Sequence, residues 1–312
     1  MSLGSILVIK LGALGDFIQA LGPMAAIKNF HQNERVILLT RRQFLEFAEA
    51  SGSVDAVWID PRPGFVDFRK WLALRRCFRG AGFERVYDLQ TSQRTSLYHN
   101  LFFPDKPPEW SGIARGCSHP HDNAKRDSMH TVERQSEQLI CAGVKMRGYE
   151  DPSKLDFSWA TSDISTFGLP RRYVLFVPGG SQHRPAKRWP EENYNSLAAK
   201  VLAWNKTPVL LGGIHETALT ARIAAAVPGT IDLAGKTNLL QLAEISRRAE
   251  GAVGNDTGPM HLIAAIGCKA IVLYSHQSDP SLCGQRGRDV TILRPKDLFT
   301  LSTDDVFDAL IR

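Results

Sequence analysis

Short apolar runs alternate with longer amphipathic stretches along most of the chain. In the first half, β-branched and apolar runs predict strands over residues 6–9, 36–40, 56–59 and 85–89. Segments with a helical period predict helices over 17–30, 44–50, 68–79 and 131–143. Residues 104–127 are rich in Pro, Gly, His and Asp and read as a long loop of the kind that often serves function. Residues 151–169 are irregular, punctuated by Pro152, Gly168 and Pro170, and read as a linker. The alternation then resumes, with strands over 173–177, 208–212, 230–233, 252–254 and 270–274. Helices are expected over 191–204, 216–226, 239–250 and 259–266. Strand–helix alternation of this kind indicates α/β architecture with parallel sheets. Two consecutive α/β domains of similar size are expected, 1–160 and 161–312, with the last helix free to pack back on the first. In such sheets ligands sit beyond the carboxyl ends of the strands, so the residues just after each strand carry the functional reading.

Composition adds little until charge is located. The 312 residues are 43% hydrophobic and 22% charged, with a formal net charge of +6, an ordinary globular balance that favours an anionic partner. Most of the excess lies in one stretch: Arg62, Arg69, Lys70, Arg75, Arg76 and Arg79 stand against the single acid Asp67. They are interleaved with Phe65, Phe68, Trp71, Leu72 and Leu74, which gives either a solvated face or a basic amphipathic helix. The second form suits a phosphorylated glycolipid or an anionic membrane leaflet. No nucleic-acid motif accompanies the charge, so no nucleic-acid partner is expected. Five widely spaced cysteines without a CxxC pair fit a reducing cytoplasm. The opening MSLGSILVIK is not expected to be a signal peptide, and no window reaches the ~18 apolar residues of a membrane span.

Four clusters follow predicted strands. Gly12-Ala-Leu-Gly15-Asp16 opens a helix; its glycines permit a tight turn or a close ligand, and Asp16 suits either the helix start or chemistry at the cleft mouth. It is not a GxGxxG fingerprint, and no GxxxxGK[ST] P-loop occurs. In the second half, Gly179, Gly180 and Ser181 offer backbone N–H groups, and Lys187 offers a compact cation for phosphate. Gly254-Asn-Asp256-Thr257-Gly258-Pro-Met-His261 starts a helix whose N–H groups and Thr257 hydroxyl suit an anion. Gly212-Gly-Ile-His-Glu216 places an acid where a ribose diol or a helix cap could use it. No DxD triplet occurs. The nearest metal-like group, His119, His121 and Asp122, falls in the long loop, so neither a metal nor a cofactor is expected.

Together GALGD, AKRWPE and NDTGPMH resemble the family 9 glycosyltransferases, the ADP-heptose:lipopolysaccharide heptosyltransferases and their relatives, over nearly the whole chain. The resemblance implies GT-B architecture, two Rossmann-like domains facing across a cleft, with acceptor bound by the first and nucleotide-sugar by the second. It implies that Asp16 is the general base and that Lys187 contacts the donor phosphates. Thr257 and Gly258 would lie near the diphosphate, Asp256 near the sugar and Glu216 at the ribose. Residues 235–238, with Thr237, would lie near the adenine. Some members carry hydroxyl residues five and four places before the lysine; here Gln182 and His183 stand there. With Gly180, Ser181 and His261 they complete the expected donor set. Gly12, Gly15, Arg62, Arg69, Lys70, Arg94 and Arg115 form the expected acceptor set.

The function implied is inverting, metal-independent transfer of a heptose or related sugar from an ADP-sugar to the lipopolysaccharide inner core. The enzyme would be cytoplasmic, with peripheral contact at the inner face of the inner membrane. A UDP- or GDP-sugar donor with another acceptor is the alternative, followed by an inactive nucleotide-binding relative. An NAD-dependent oxidoreductase lacks its glycine fingerprint.

Overall fold

The computed structural model describes residues 4–64, 66–180 and 184–312. The chain forms two compact units, Met1–Leu155 and Asp156–Arg312. In the first, strands β1 (Ser5–Ile9), β2 (Arg35–Thr40), β3 (Ala56–Ile59), β4 (Phe83–Asp88), β5 (Glu109–Gly112) and β6 (His119–Pro120) form one sheet. Helices α1 (Leu14–Gln19), α2 (Leu21–Phe30), α3 (Leu45–Ala50), α4 (Phe68–Gly80), α5 (Gln93–His99) and α6 (Thr131–Cys141) connect or cover it. The second unit repeats the scheme. Its strands are β7 (Tyr173–Val177), β8 (Thr207–Leu210), β9 (Ile231–Asp232), β10 (Gly251–Asn255), β11 (Ala270–Leu273) and β12 (Val290–Leu293). Its helices are α7 (Glu191–Ala203), α8 (Thr217–Ala226), α9 (Leu239–Arg248), α10 (Gly258–Ala265), α11 (Pro280–Cys283) and α12 (Thr303–Ile311).

Both sheets are parallel. Their orders, β3-β2-β1-β4-β5-β6 and β9-β8-β7-β10-β11-β12, are the same doubly wound arrangement. The central strands are buried along their length, as strands covered on both faces must be. In each sheet the winding reverses beside the first strand, between β1 and β4 and between β7 and β10. Loops leaving the carboxyl ends there diverge and open a crevice.

Several elements differ from the sequence reading. The expected helix 17–30 is two helices, α1 and α2, meeting at Ala20. Pro23 has no N–H to give the Gln19 carbonyl, which breaks the ladder at that turn. The expected loop 104–127 contains β5 and β6; their sequences, EWSG and HP, carry no apolar run to announce a strand. Helix α5 and edge strand β12 were likewise not expected. The segment around Phe157 joins the second unit, because Arg247 Nη2 on α9 donates to the carbonyls of Phe157 (2.9 Å) and Ala160 (3.0 Å). Helix α12 buries Val306 and Leu310 in the second unit's own core beside Tyr194, Leu197 and Val201 of α7. None of the five cysteines is in a disulfide.

Candidate active site

The first unit's crevice is built at the end of β1. Gly12 has φ +109°, and a Cβ there would sit 3.0 Å from the Phe44 ring, so the turn into α1 requires glycine. Gly15 is buried in the first turn, and the half-buried Asp16 follows it. Asp16 Oδ2 accepts a hydrogen bond from the Ala13 N–H at 3.2 Å. The helix-start role is therefore realised by one carboxylate oxygen.

Behind Asp16 lie two groups that motif reading missed. Lys10, directly after β1, is 3% exposed, and its Nζ donates to the Leu89 carbonyl at 3.1 Å. Burial pulls this ammonium down to about 8, against the opposing charges of Asp16 and Asp88. Asp88 closes β4 and is fully buried. Its Oδ1 accepts from the N–H groups of Gln90 (3.1 Å) and Thr91 (3.0 Å), while Oδ2 has no hydrogen-bond partner among the described residues. Burial pushes its carboxyl up to about 6, although hydrogen bonds and Lys10 act the other way. Topology alone could have flagged both, because β1 and β4 flank the reversal point.

The basic residues expected at the acceptor site fall on loops and helix starts that follow strand ends. Arg62 is exposed just after β3, and Arg94 on α5 donates to the Pro63 carbonyl at 3.0 Å, which joins these two segments. Arg69 and Lys70 occupy the first turn of α4, with Lys70 paired to the N-cap Asp67 at 2.9 Å. Arg115 is exposed in the loop after β5, with no hydrogen bond tying it to the others.

In the second unit the expected donor residues converge more tightly. Lys187 Nζ lies 3.2 Å from Asp256 Oδ2, with both side chains largely buried. Asp256 also accepts from Ser278 Oγ (2.8 Å) and Gln285 Nε2 (3.3 Å), and Tyr274 donates to the Gln285 side chain at 2.8 Å. Burial tends to raise the Asp256 carboxyl, but Ser278, Lys187 and His261 outweigh it and hold the group below the ordinary carboxylate range. Ser278 and Gln285 lie far along the chain in no motif, so sequence spacing gave no sign of them.

The neighbouring Asn255 shapes the turn. It is buried at the end of β10; Nδ2 donates to the Pro178 (2.8 Å) and Gly179 (2.9 Å) carbonyls, and Oδ1 accepts from the Trp189 N–H (3.0 Å) and Tyr194 OH (3.2 Å). One amide thus fixes the Gly179–Gly180 turn against the segment carrying Lys187. Arg188 donates to the Gly180 carbonyl at 2.9 Å. Glu216 caps its own turn, accepting from the Gly213 N–H at 2.9 Å, and lies across two glycines. A Cβ at Gly179 would stand 2.5 Å from Glu216 Cγ, and one at Gly212 would stand 2.7 Å from its Cβ. Both sites need glycine for this close approach.

Thr257 is the N-cap of α10, yet its side chain makes no cap hydrogen bond; its buried Oγ1 has no partner among the described residues. Val177, Gly179, Gly180, Gly212, Gly213, Glu216, Asp256, Thr257, Gly258 and Pro259 line a cavity of about 310 Å³. The start of α10 supplies N–H groups and the positive end of its dipole. His261 is buried in the first turn of that helix and interacts electrostatically with Asp256. Thr237 sits in the turn before α9 and is not part of the cavity wall. Ser181, Gln182 and His183 lie outside the described residues.

Among the described residues no three His, Cys, Asp or Glu side chains converge as metal ligands. His119, expected in a loop, belongs to β6. His121 is buried with Nε2 3.4 Å from Glu137 Oε1. No helix among the described residues is long and apolar enough to cross a membrane.

Comparison with known proteins shows the family and the fold. The profile of glycosyltransferase family 9 (heptosyltransferase) matches residues 71–298. Lipooligosaccharide heptosyltransferase 2 of Haemophilus influenzae is 32% identical over 129 residues, 40% of this chain. That match spans 37% of the Haemophilus protein's length. Lipopolysaccharide heptosyltransferase 1 of Escherichia coli K12 is 28% identical, with 98% of each chain covered. The solved E. coli ADP-heptose lps heptosyltransferase II superposes with a TM-score of 0.79 at 20% identity, over 98% of this chain and 97% of that one. The fold is thus that of the GT-B heptosyltransferases, and the chain belongs to glycosyltransferase family 9.

Proposed function

We propose that this enzyme transfers a heptose from an ADP-sugar to the inner core of lipopolysaccharide, with inversion and without a metal ion. The observation that carries the reading is the cavity at the β7–β10 reversal. There Asp256, which holds Lys187 Nζ at 3.2 Å, the unpartnered Thr257 hydroxyl and the start of α10 border one cavity of about 310 Å³. A nucleoside diphosphate leaving group needs such positive potential, and here lysine and helix dipole supply it. Glu216, lying over Gly179 and Gly212, accepts from the ribose hydroxyls in this reading.

The first unit supplies the base. Asp16 removes the proton of the acceptor hydroxyl as its oxygen attacks the anomeric carbon. The bond from that carbon to the phosphate oxygen breaks in the same displacement, and ADP departs with the electron pair. Lys187 and the Thr257–Gly258 N–H groups take up its charge. Arg62, Arg69, Lys70, Arg94 and Arg115 bind the anionic glycolipid, and the enzyme works in the cytoplasm at the membrane surface.

Thermal stabilisation by ADP, UDP, GDP and NAD at equal concentration tests the donor. A ligand at ~100 Kd adds ~2.7 kcal/mol to stability. Selective stabilisation by ADP is expected, followed by transfer from ADP-heptose. Selectivity for UDP or GDP overturns the heptose donor and keeps a GT-B transferase, while a response to NAD alone overturns transfer.

A further inference from the structure

The outer side of α4 presents large apolar side chains to solvent. Phe68 is 72% exposed and Leu72 51%, with Val66 (84%) just before the helix and Phe103 (75%) in the loop after α5. A helix advances about 100° per residue, so Phe68, Arg79, Leu72, Arg76 and Arg69 share one arc of about 100°. Leu74 and Phe78 point the other way, into the first unit's core. Phe103 is held beside this arc. Arg75 Nε donates to the Leu101 carbonyl at 3.1 Å, its Nη2 donates to the Phe103 carbonyl, and Arg79 pairs with Asp105. A shallow groove of about 600 Å³ lies between Leu72, Arg76, Arg79 and Asp105.

The charge around these apolar groups is one-sided. Six cations, Arg62, Arg69, Lys70, Arg75, Arg76 and Arg79, meet two acids, Asp67 and Asp105. Arg62, Arg69 and Arg76 make no ion pair among the described residues. A solvated face would not also expose two phenylalanines and a leucine among its arginines. Apolar tips flanked by long basic side chains match the boundary between acyl chains and anionic headgroups, where the tips enter and the cations stay with the phosphates.

We propose that the outer face of α4, together with Phe103, seats this enzyme on a bilayer containing anionic lipid. The assignment rests on the reading of a lipid-linked acceptor, which gives the enzyme its reason to meet a membrane. Phe68, Leu72 and Phe103 enter the interface, and Arg76 and Arg79 bind headgroups.

Co-sedimentation with vesicles tests this directly, using phosphatidylcholine alone and phosphatidylcholine mixed with phosphatidylglycerol. The wild type should bind the mixed vesicles at least tenfold more tightly, and high salt should weaken binding. Arg76→Glu should reduce binding at least fivefold, by the ~1 kcal/mol per basic residue of anionic surfaces. Phe68→Ser combined with Phe103→Ser should reduce it at least tenfold, while melting temperature and transfer to a delipidated, water-soluble acceptor stay unchanged. Absence of vesicle binding by the wild type overturns the proposal. So does binding that falls with Arg76→Glu but not with the serine pair, which would leave a phosphate site without membrane entry. Sedimentation equilibrium showing a dimer abolished by the serine pair also overturns it and gives the face to a second copy of the chain. Because binding is read without turnover, failure to transfer heptose counts against the proposed function and not against the docking surface.

Discussion

At the scale of single residues, the proposed base and its setting lead to different predictions. Asp16 keeps one oxygen on the Ala13 N–H, an interaction an amide oxygen also makes, so Asp16→Asn preserves the turn and removes the proton acceptor. Transfer should fall at least a thousandfold while stabilisation by ADP stays within a few fold; near-normal turnover would remove Asp16 from the mechanism. Asp88 gives a pH prediction. Burial lifts its folded pKa to about 6, above the ordinary 3.8, so the unfolded chain releases this proton first as pH rises. The carboxylate destabilises the fold increasingly between about pH 4 and 6 and fully above that, by about 3 kcal/mol. Asp88→Asn can still accept from Gln90 and Thr91. Its melting temperature should exceed the wild type's at pH 8 and match it near pH 4; an advantage that shrinks as pH rises would refute the assignment. Asp16, Lys187, Glu216 and the Asp256–Gly258 run were legible because each follows a strand in a contiguous motif. Lys10, Asp88, Ser278 and Gln285 were not, because their roles come from strand order and from chain segments brought together only by folding.

At the scale of elements, the alternation of apolar runs and amphipathic segments was enough to read the parallel α/β scheme. It failed where an element lacks its own hydrophobic signature. β5 and β6 hold their places through pairing with β4 and with each other rather than through a Val/Ile/Leu run. The α1–α2 break hinges on one proline, Pro23, whose missing donor outweighs an otherwise continuous apolar stripe. In the second unit the decisive joint is Asn255, which ties the end of β10 to the turn after β7 and to the approach to α7. Asn255→Ala leaves the Trp189 N–H and the Pro178 and Gly179 carbonyls without this partner in a buried site. A loss on the order of 3 kcal/mol follows, or about 6–12 °C in a unit of this size. ADP stabilisation should weaken as well, because the Gly179–Gly180 turn loses its brace. Calorimetry with and without ADP checks both, and an unchanged melting temperature would show that the amide is not structural.

For the whole molecule, one sheet order is used twice, and the candidate residues fall at the same point of each sheet. The first places Lys10, Asp16 and Asp88 around its reversal point, and the second places Lys187, Glu216, Asp256 and Thr257 around its own. The repeated architecture was readable from hydrophobic periodicity, but that each unit centres its site on the same topological point became visible only with strand order. Under the proposed function, the pairing of Lys187 with Asp256 bears on how often the enzyme can cycle. The lysine is paired within its own chain, so under the proposed function an incoming diphosphate would share it with a resident carboxylate. In the proposed reaction, that carboxylate would reclaim the cation after transfer and help to eject the spent nucleotide. Asp256→Asn should therefore bind ADP several-fold more tightly and yet turn over more slowly, with product departure becoming the slow step. Equal or weaker ADP affinity in that variant would show that the pair does not govern release. In the proposed reaction, tight grip and rapid renewal are opposed, and a single carboxylate sets the compromise.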